Sequence, residues 1–88
     1  MIYMISYDIK DGSNAREKVM ASIESLGSWC KYLSTTYLVS TNRSDEQVQS
    51  IATKNLNPTD AMIICKVSEK RIMGWLTKEQ WNWIDKNL

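Results

Sequence analysis

The sequence predicts an α+β domain in which four strands and two helices follow the order β-α-β-β-α-β, with a third helix at the C-terminal end. Two observations lead to this prediction. Four short segments are rich in β-branched and aromatic residues, and the segments between them carry apolar residues at helical spacing. The chain has 88 residues, of which 43% are hydrophobic and 24% charged. These proportions are typical of a soluble globular protein, and we expect a single domain over residues 1–88.

The first strand is expected at residues 2–9, where one alternating set is apolar throughout and the other also begins with apolar residues. Such a strand is typically buried on both faces, so we expect it near the centre of the sheet. Asn14 and Glu17 have the spacing of a capping box and predict the start of the first helix. Gly27 follows that helix, at a place where a left-handed C-cap is common.

A hairpin and a second helix are expected next. Residues 29–33 and 36–41 predict two strands with a two-residue turn between them. Ser44 and Gln47 have the spacing of a capping box, which predicts the start of the second helix. Residues 61–67 alternate again and predict the fourth strand.

The C-terminal part carries an additional element. Thr77 and Gln80 predict a third capping box, which opens a Trp-rich helix at about residues 77–87. The chain therefore divides into a βαββαβ core in residues 1–67 and a C-terminal extension in residues 68–88.

The order of the core elements is that of the ferredoxin-like arrangement, a four-stranded antiparallel sheet with two helices on one face. Because crossover connections are right-handed, the first and third strands are expected in the centre of the sheet. The opposite face, called the open face below, would then be bare.

The open face is expected to be an interface. Five residues of the first and last strands should line it: Ile2, Met4, Ser6, Met62 and Ile64. An apolar surface of this extent is rarely left in water. Either the Trp-rich tail folds back over it, or a second subunit packs there. We expect a homodimer, because a domain this small gains from a shared core.

The composition limits the catalytic and metal-binding chemistry that the protein can use. The sequence has no His, which excludes Ser–His triads and His-ligated zinc. Cys30 and Cys65 are too far apart in the sequence for a zinc motif and are expected to stay reduced in the cytoplasm. No apolar run is long enough to cross a membrane. We therefore expect a cytoplasmic protein without a cofactor, unless a carboxylate binds Mg²⁺ or Mn²⁺.

Asp8 is the candidate catalytic and metal-binding residue. It ends the first strand on the face assigned to the interface, so two copies could approach each other in a two-fold dimer. Paired carboxylates need a cation or a shared proton, and their hard oxygen atoms suit Mg²⁺ or Mn²⁺, which could activate water for phosphodiester cleavage. The alternative is that Asp8 accepts hydrogen bonds from the turn amides of residues 10–12.

Two tryptophans, Trp75 and Trp83, are the candidate partner-binding residues, because Trp is enriched at binding hot spots. Trp81 and Trp83 point about 200° apart on a helix, so we expect one to anchor the tail and the other to meet a partner. The alternative is a tail that serves only as an intramolecular lid.

Nucleic-acid binding has weaker support. The net charge is only +1, which gives no basic footprint. Four tyrosines lie on predicted strands, where we expect core positions rather than base stacking: Tyr3, Tyr7, Tyr32 and Tyr37. Five scattered cations are the candidate phosphate contacts: Lys31, Arg43, Lys66, Lys70 and Arg71.

Residues 1–9, Met-Ile-Tyr-Met-Ile-Ser-Tyr-Asp-Ile, resemble the first strand of the small CRISPR-associated spacer-acquisition proteins, which bridge two integrase dimers. Relatives of the virulence-associated protein D ribonucleases belong to the same family. The resemblance includes Arg16 and Gly27 and covers about residues 1–67. It implies a ferredoxin-like fold, a dimer formed through the sheet, and an Asp, here Asp8, near the two-fold axis.

Other segments depart from that family. Lys31 stands where the family usually has Arg, and the third strand, Tyr-Leu-Val-Ser at residues 37–40, lacks the usual acidic residue. The Trp-rich tail stands where that family usually continues into a fifth strand, which crosses to the partner subunit. Together with residues 27–33 and 37–41, this tail is similar to short bacterial and phage proteins labelled SinR-like, whose function is not established.

We therefore expect a non-catalytic, cytoplasmic homodimer that acts by binding. It would be an adaptor or inhibitor of a nucleic-acid-handling system, in antiviral defence or in phage anti-defence. One alternative is a metal-dependent endonuclease that uses Asp8 at the dimer axis. The other is a protein that binds nucleic acid without sequence preference.

Overall fold

The computed structural model describes residues 1–10, 12–68 and 72–88. Seven elements follow in order: β1 (Ile2–Asp8), α1 (Ser13–Glu24), β2 (Ser28–Leu33), β3 (Thr36–Ser40), α2 (Asp45–Thr53), β4 (Ala61–Val67) and α3 (Lys78–Asn87). The predicted α+β class and the predicted order of elements are confirmed.

The strands form one antiparallel sheet in the order β2-β3-β1-β4. The first and third strands therefore lie in the centre, as predicted, and β2 and β4 form the edges. β1 and β4 pair without interruption over seven residues. The register of β2 on β3 shifts between Lys31 and Leu33, which marks an irregularity of the bulge type in that edge strand.

Helices cover both faces of the sheet, unequally. The larger cluster joins α1 and α2 to Tyr3, Ile5 and Tyr7 of β1, so both core helices lie on one face, as predicted. On the open face, Ile84 of α3 packs with Ile2 of β1 and with Leu38 of β3. The tail thus folds back over one end of the open face, which is the first of the two covers that the sequence allows.

The prediction that Met62 and Ile64 lie on the open face is wrong. Directly opposed residues of an antiparallel pair point to the same face. The register places Ile64 opposite Ile5 and Met62 opposite Tyr7, and both side chains pack against the α1–α2 cluster. The open-face residues of β4 are instead the other alternating set, which includes Ile63 and Cys65.

Two of the three predicted capping boxes are present. The Ser44 hydroxyl accepts a hydrogen bond from the backbone amide of Gln47, and the Thr77 hydroxyl accepts one from the backbone amide of Gln80, each at 3.2 Å. In both boxes the Gln side chain accepts a hydrogen bond from the backbone amide of the N-cap residue. The third is wrong, because α1 has Gly12 as its N-cap, without a side-chain hydrogen bond.

Gly27 is not a left-handed cap, since the cap of α1 is Ser25 with a right-handed backbone. Its role is a close approach between chain segments. A Cβ atom at position 27 would lie 2.2 Å from the carbonyl oxygen of Ser40 in β3. A side chain at this position would therefore push the start of β2 away from β3.

Among the described residues, no helix has the length and apolar character that crossing a membrane requires.

Candidate functional site

A groove of about 440 Å³ lies on the open face, between the sheet and the segment that leads into α3. The sheet and the tail each supply one wall: Met4, Tyr32, Leu33, Leu38, residues 72–76 and Gln80. The shifted register of β2 brings Tyr32 and Leu33 both to the groove. Tyr32 is held over Met4, with its hydroxyl 3.8 Å from the Met4 sulfur atom.

Large apolar side chains stand exposed at the rim of this groove. Trp75 is 99% exposed, Met73 91% and Leu33 57%. A single exposed apolar residue is ordinary, whereas several around one concave apolar surface mark a binding site. The sequence pointed to Trp75 but not to Met73 or Leu33, although Met73-Gly74-Trp75 is an apolar segment outside every regular element.

Trp83 is an anchor rather than an exposed contact. Both Trp81 and Trp83 are half-buried and pack against the Ile2, Leu38 and Ile84 cluster. The indole nitrogen of Trp83 also donates to the Ser28 hydroxyl, 3.1 Å away. The expectation that only one of the two anchors the tail is therefore wrong, since their long side chains flank the buried Ile84 from either side.

Asp8 lies at the end of β1 with an exposed carboxylate, and its Oδ2 accepts from the Lys10 ammonium at 2.8 Å. This hydrogen bond raises the pKa of Lys10. The backbone amide of Lys10 donates instead to Asp60, 2.9 Å away. Asp60, held by the amides of Lys10 and Asn57, has a lowered pKa. The expected bond from the residue 10 amide to Asp8 is therefore wrong, and residue 11 lies outside the described residues.

Asp8 has no metal-ligating cluster around it among residues 1–10, 12–68 and 72–88. In the part of the chain that the structure describes, no three His, Cys, Asp or Glu residues lie close enough together to hold a metal ion.

The candidate phosphate contacts are dispersed. Lys31 lies on β2 and Lys66 on β4, at opposite edges of the sheet. The Lys31 ammonium sits 5.5 Å from the ring centre of Tyr37, on the side of the sheet that α1 covers. Arg43 is exposed just before α2. Lys70 and Arg71 lie outside the described residues.

Three of the four strand tyrosines are core residues, as predicted. Three of them are buried on the helix-covered face, and the fourth is half-buried at the groove: Tyr3, Tyr7, Tyr37 and Tyr32. Burial and a hydrogen bond to Glu24 at 2.5 Å raise the pKa of Tyr37 well above its ordinary value.

A polar cluster on the helix side of β4 was not foreseen. Asp45, the first residue of α2, accepts hydrogen bonds from the Tyr3 hydroxyl and from the Lys66 ammonium, the latter at 3.3 Å. The hydrogen bond from Tyr3, followed by that from Lys66, lowers the pKa of Asp45. The pKa values of Tyr3 and of Lys66 are raised, in each case mainly by the hydrogen bond to Asp45. The sequence gives no local signal for this cluster, because its members are up to 63 positions apart.

The cluster borders a second groove, of about 350 Å³, between α2 and β4. Its floor is formed by the apolar residues Met62 and Ile64, and Gln49 and Thr53 of α2 form part of its wall. The helix-covered face is thus left open along the outer side of β4.

Comparison with known proteins bears on the fold. The sequence matches none of the protein families and none of the curated proteins with which it was compared. Among solved structures, it is similar to the crystal structure of a hypothetical protein from Thermus thermophilus, at 23% sequence identity and a TM-score of 0.64. The similarity covers 86% of this chain and 93% of the other.

Proposed function

We propose that the protein acts by binding, as a small cytoplasmic homodimeric adaptor or inhibitor of a nucleic-acid-handling system in antiviral defence or in phage anti-defence. The observation that carries the binding role is the almost complete exposure of Trp75 at the rim of an apolar groove. Burying a tryptophan and its apolar neighbours removes a large area from water, which is how binding hot spots gain their energy.

The class of system rests on the sequence resemblance to the CRISPR-associated spacer-acquisition proteins and to the SinR-like proteins. The element order and the strand order β2-β3-β1-β4 support a ferredoxin-like arrangement, which that resemblance implies. The fold by itself fits many functions. The binding role therefore rests on the groove, and the nature of the partner rests on the resemblance.

The groove supports binding more strongly than it supports either alternative. Asp8 belongs to a different part of the surface, and its carboxylate is ion-paired with Lys10. Lys31 and Lys66, at opposite edges of the sheet, do not form one basic surface. A protein partner with an apolar segment matches the groove lining better than a phosphate backbone does.

The proposal is tested by affinity capture from a host lysate, with Trp75→Ala compared with the wild type. We expect the wild type to enrich one or a few nucleic-acid-handling proteins, such as a nuclease or an integrase, and Trp75→Ala to lose them. Trp29→Ala is the matched control, because Trp29 is also exposed, at 43%, but packs on Tyr37 of the helix-covered face. Circular dichroism would verify that both variants fold.

Capture that is unaffected by Trp75→Ala would refute the assignment of the groove. Incubation of RNA and DNA with Mg²⁺ or Mn²⁺ addresses catalysis. Cleavage by the wild type that is lost in Asp8→Ala would replace the adaptor by the nuclease.

A further inference from the structure

The outer edge of β4 is an open strand edge, and we propose that a second copy of this chain pairs with it, β4 to β4, in an antiparallel two-fold arrangement. The inference rests on the homodimer of the proposed function and specifies where that dimer forms. It replaces an interface through the open face, where α3 already covers Ile2.

The two edges of the sheet differ in how they are protected. Natural edge strands are commonly blocked by bulges, charges, proline or a covering element. β2 has the register shift between Lys31 and Leu33. At Ser28, the first residue of β2, the hydroxyl accepts a hydrogen bond from the indole nitrogen of Trp83 in α3. β4 has a regular register over seven residues and no proline. Within the described ranges, its backbone pairs only with β1.

The one charge on β4 is held away from the edge. Lys66 would normally discourage strand addition, but its ammonium is bonded to Asp45 and lies 5.8 Å from the ring centre of Tyr3. Ile63, which belongs to the open-face set of β4, is 61% exposed. A long, regular and mostly apolar edge, whose single ammonium group is paired with Asp45, favours pairing with another strand.

A second copy of β4 is complementary to the first. If the two-fold axis passes through Ile64, the central residue, all seven residues of each strand find a partner. Ile64 then faces Ile64 of the partner subunit over the floor of the groove beside α2. On the open face, Ile63 faces Cys65 of the partner subunit. Lys66 faces Met62 of the partner subunit, so the two ammonium groups are kept apart.

This pairing closes on itself. An isologous interface uses the same strand in both copies, so no free β4 edge is left. The outer edges of the resulting eight-stranded sheet are the two β2 strands, with their irregular register. The grooves beside α2 of the two copies meet over the shared strands, which allows Gln49 and Thr53 to add to the buried surface.

The first experiment measures mass in solution by sedimentation equilibrium. We expect twice the monomer mass of 10.2 kDa for the wild type. Ile63→Lys should raise the dimer dissociation constant by about tenfold or more, equivalent to about 1.4 kcal/mol. Leu33→Lys is the matched control, because Leu33 is equally exposed, at 57% against 61%, but lies on the opposite edge. It should leave the dimer unchanged.

The outcomes separate the two claims. A wild-type monomer at all concentrations would overturn both the β4 interface and the homodimer. A dimer that survives Ile63→Lys but dissociates in Met4→Lys would retain the homodimer and overturn the β4 interface.

The second experiment tests the register by disulfide formation. In Ile63→Cys, the new thiol should lie opposite Cys65 of the partner subunit, within the distance that a disulfide spans between neighbouring strands. We expect a covalent dimer on a non-reducing gel after mild oxidation, and its loss when Cys65→Ser is added. A covalent dimer of equal yield in Leu33→Cys, or none in Ile63→Cys, would overturn the register.

Discussion

Ile84→Ala should show how strongly the C-terminal helix is attached to the sheet. Ile84 is only 2% exposed and is the one fully buried residue of α3, in contact with the Ile2 and Leu38 cluster. Truncation of a buried Ile to Ala costs about 2–5 kcal/mol. We expect about 2–3 kcal/mol, because the half-buried Trp81 and Trp83 beside it have room to close part of the cavity.

This loss of stability in Ile84→Ala is a large part of the protein's free energy of unfolding, which is about 4–13 kcal/mol for a chain of 88 residues. Urea denaturation followed by circular dichroism, at a fixed protein concentration, measures it, and the melting temperature should fall by about 10–20 °C. Leu88→Ala, at a side chain that is 41% exposed, should cost about 0.5 kcal/mol. Equal losses in the two variants would refute the anchoring role of Ile84.

Two further predictions concern β2 and α2. Gly27→Ala should destabilise the protein by about 1–3 kcal/mol in the same assay, because its Cβ would overlap the Ser40 carbonyl. Gly74→Ala, with open space around it, should be neutral. Because the folded-state pKa of Asp45 is lowered by its bond from Tyr3, its ionised form stabilises the fold above its ordinary pKa of 3.8, and this contribution is lost as the pH falls through the lowered pKa. In Asp45→Asn, the melting temperature should therefore decrease less between about pH 6 and about pH 2 than in the wild type, and an unchanged acid dependence would contradict the assignment.

Local signals in the sequence were sufficient for most elements. Ser44 with Gln47 and Thr77 with Gln80 form capping boxes because all atoms involved lie within one helical turn. The same spacing failed at Asn14, because the N-cap of α1 lies two residues earlier, at Gly12, and the helix begins at Ser13. Capping spacing therefore predicts that a helix is present more securely than it predicts the first residue.

Facts that depend on distant segments could not be predicted. β4 has two alternating apolar sets, and only its register on β1 decides that Ile64, and not Ile63, faces the helices. The need for glycine at position 27 comes from the Ser40 carbonyl, 13 positions away. The groove likewise depends on the tail meeting the sheet, so the sequence could indicate Trp75 but not its neighbours in space.

The position of the groove links partner binding to the attachment of the tail. A partner seated there contacts Met4 of the sheet and Trp75 of the tail at once, so it binds only the form in which α3 is docked. By mass action, such a partner increases the docked population, and a change that releases the tail lowers the partner's apparent affinity in proportion to the fraction of molecules that stay docked. If the proposed partner binds the groove, Ile84, which lies outside it, would affect the affinity through the equilibrium between docked and released tail.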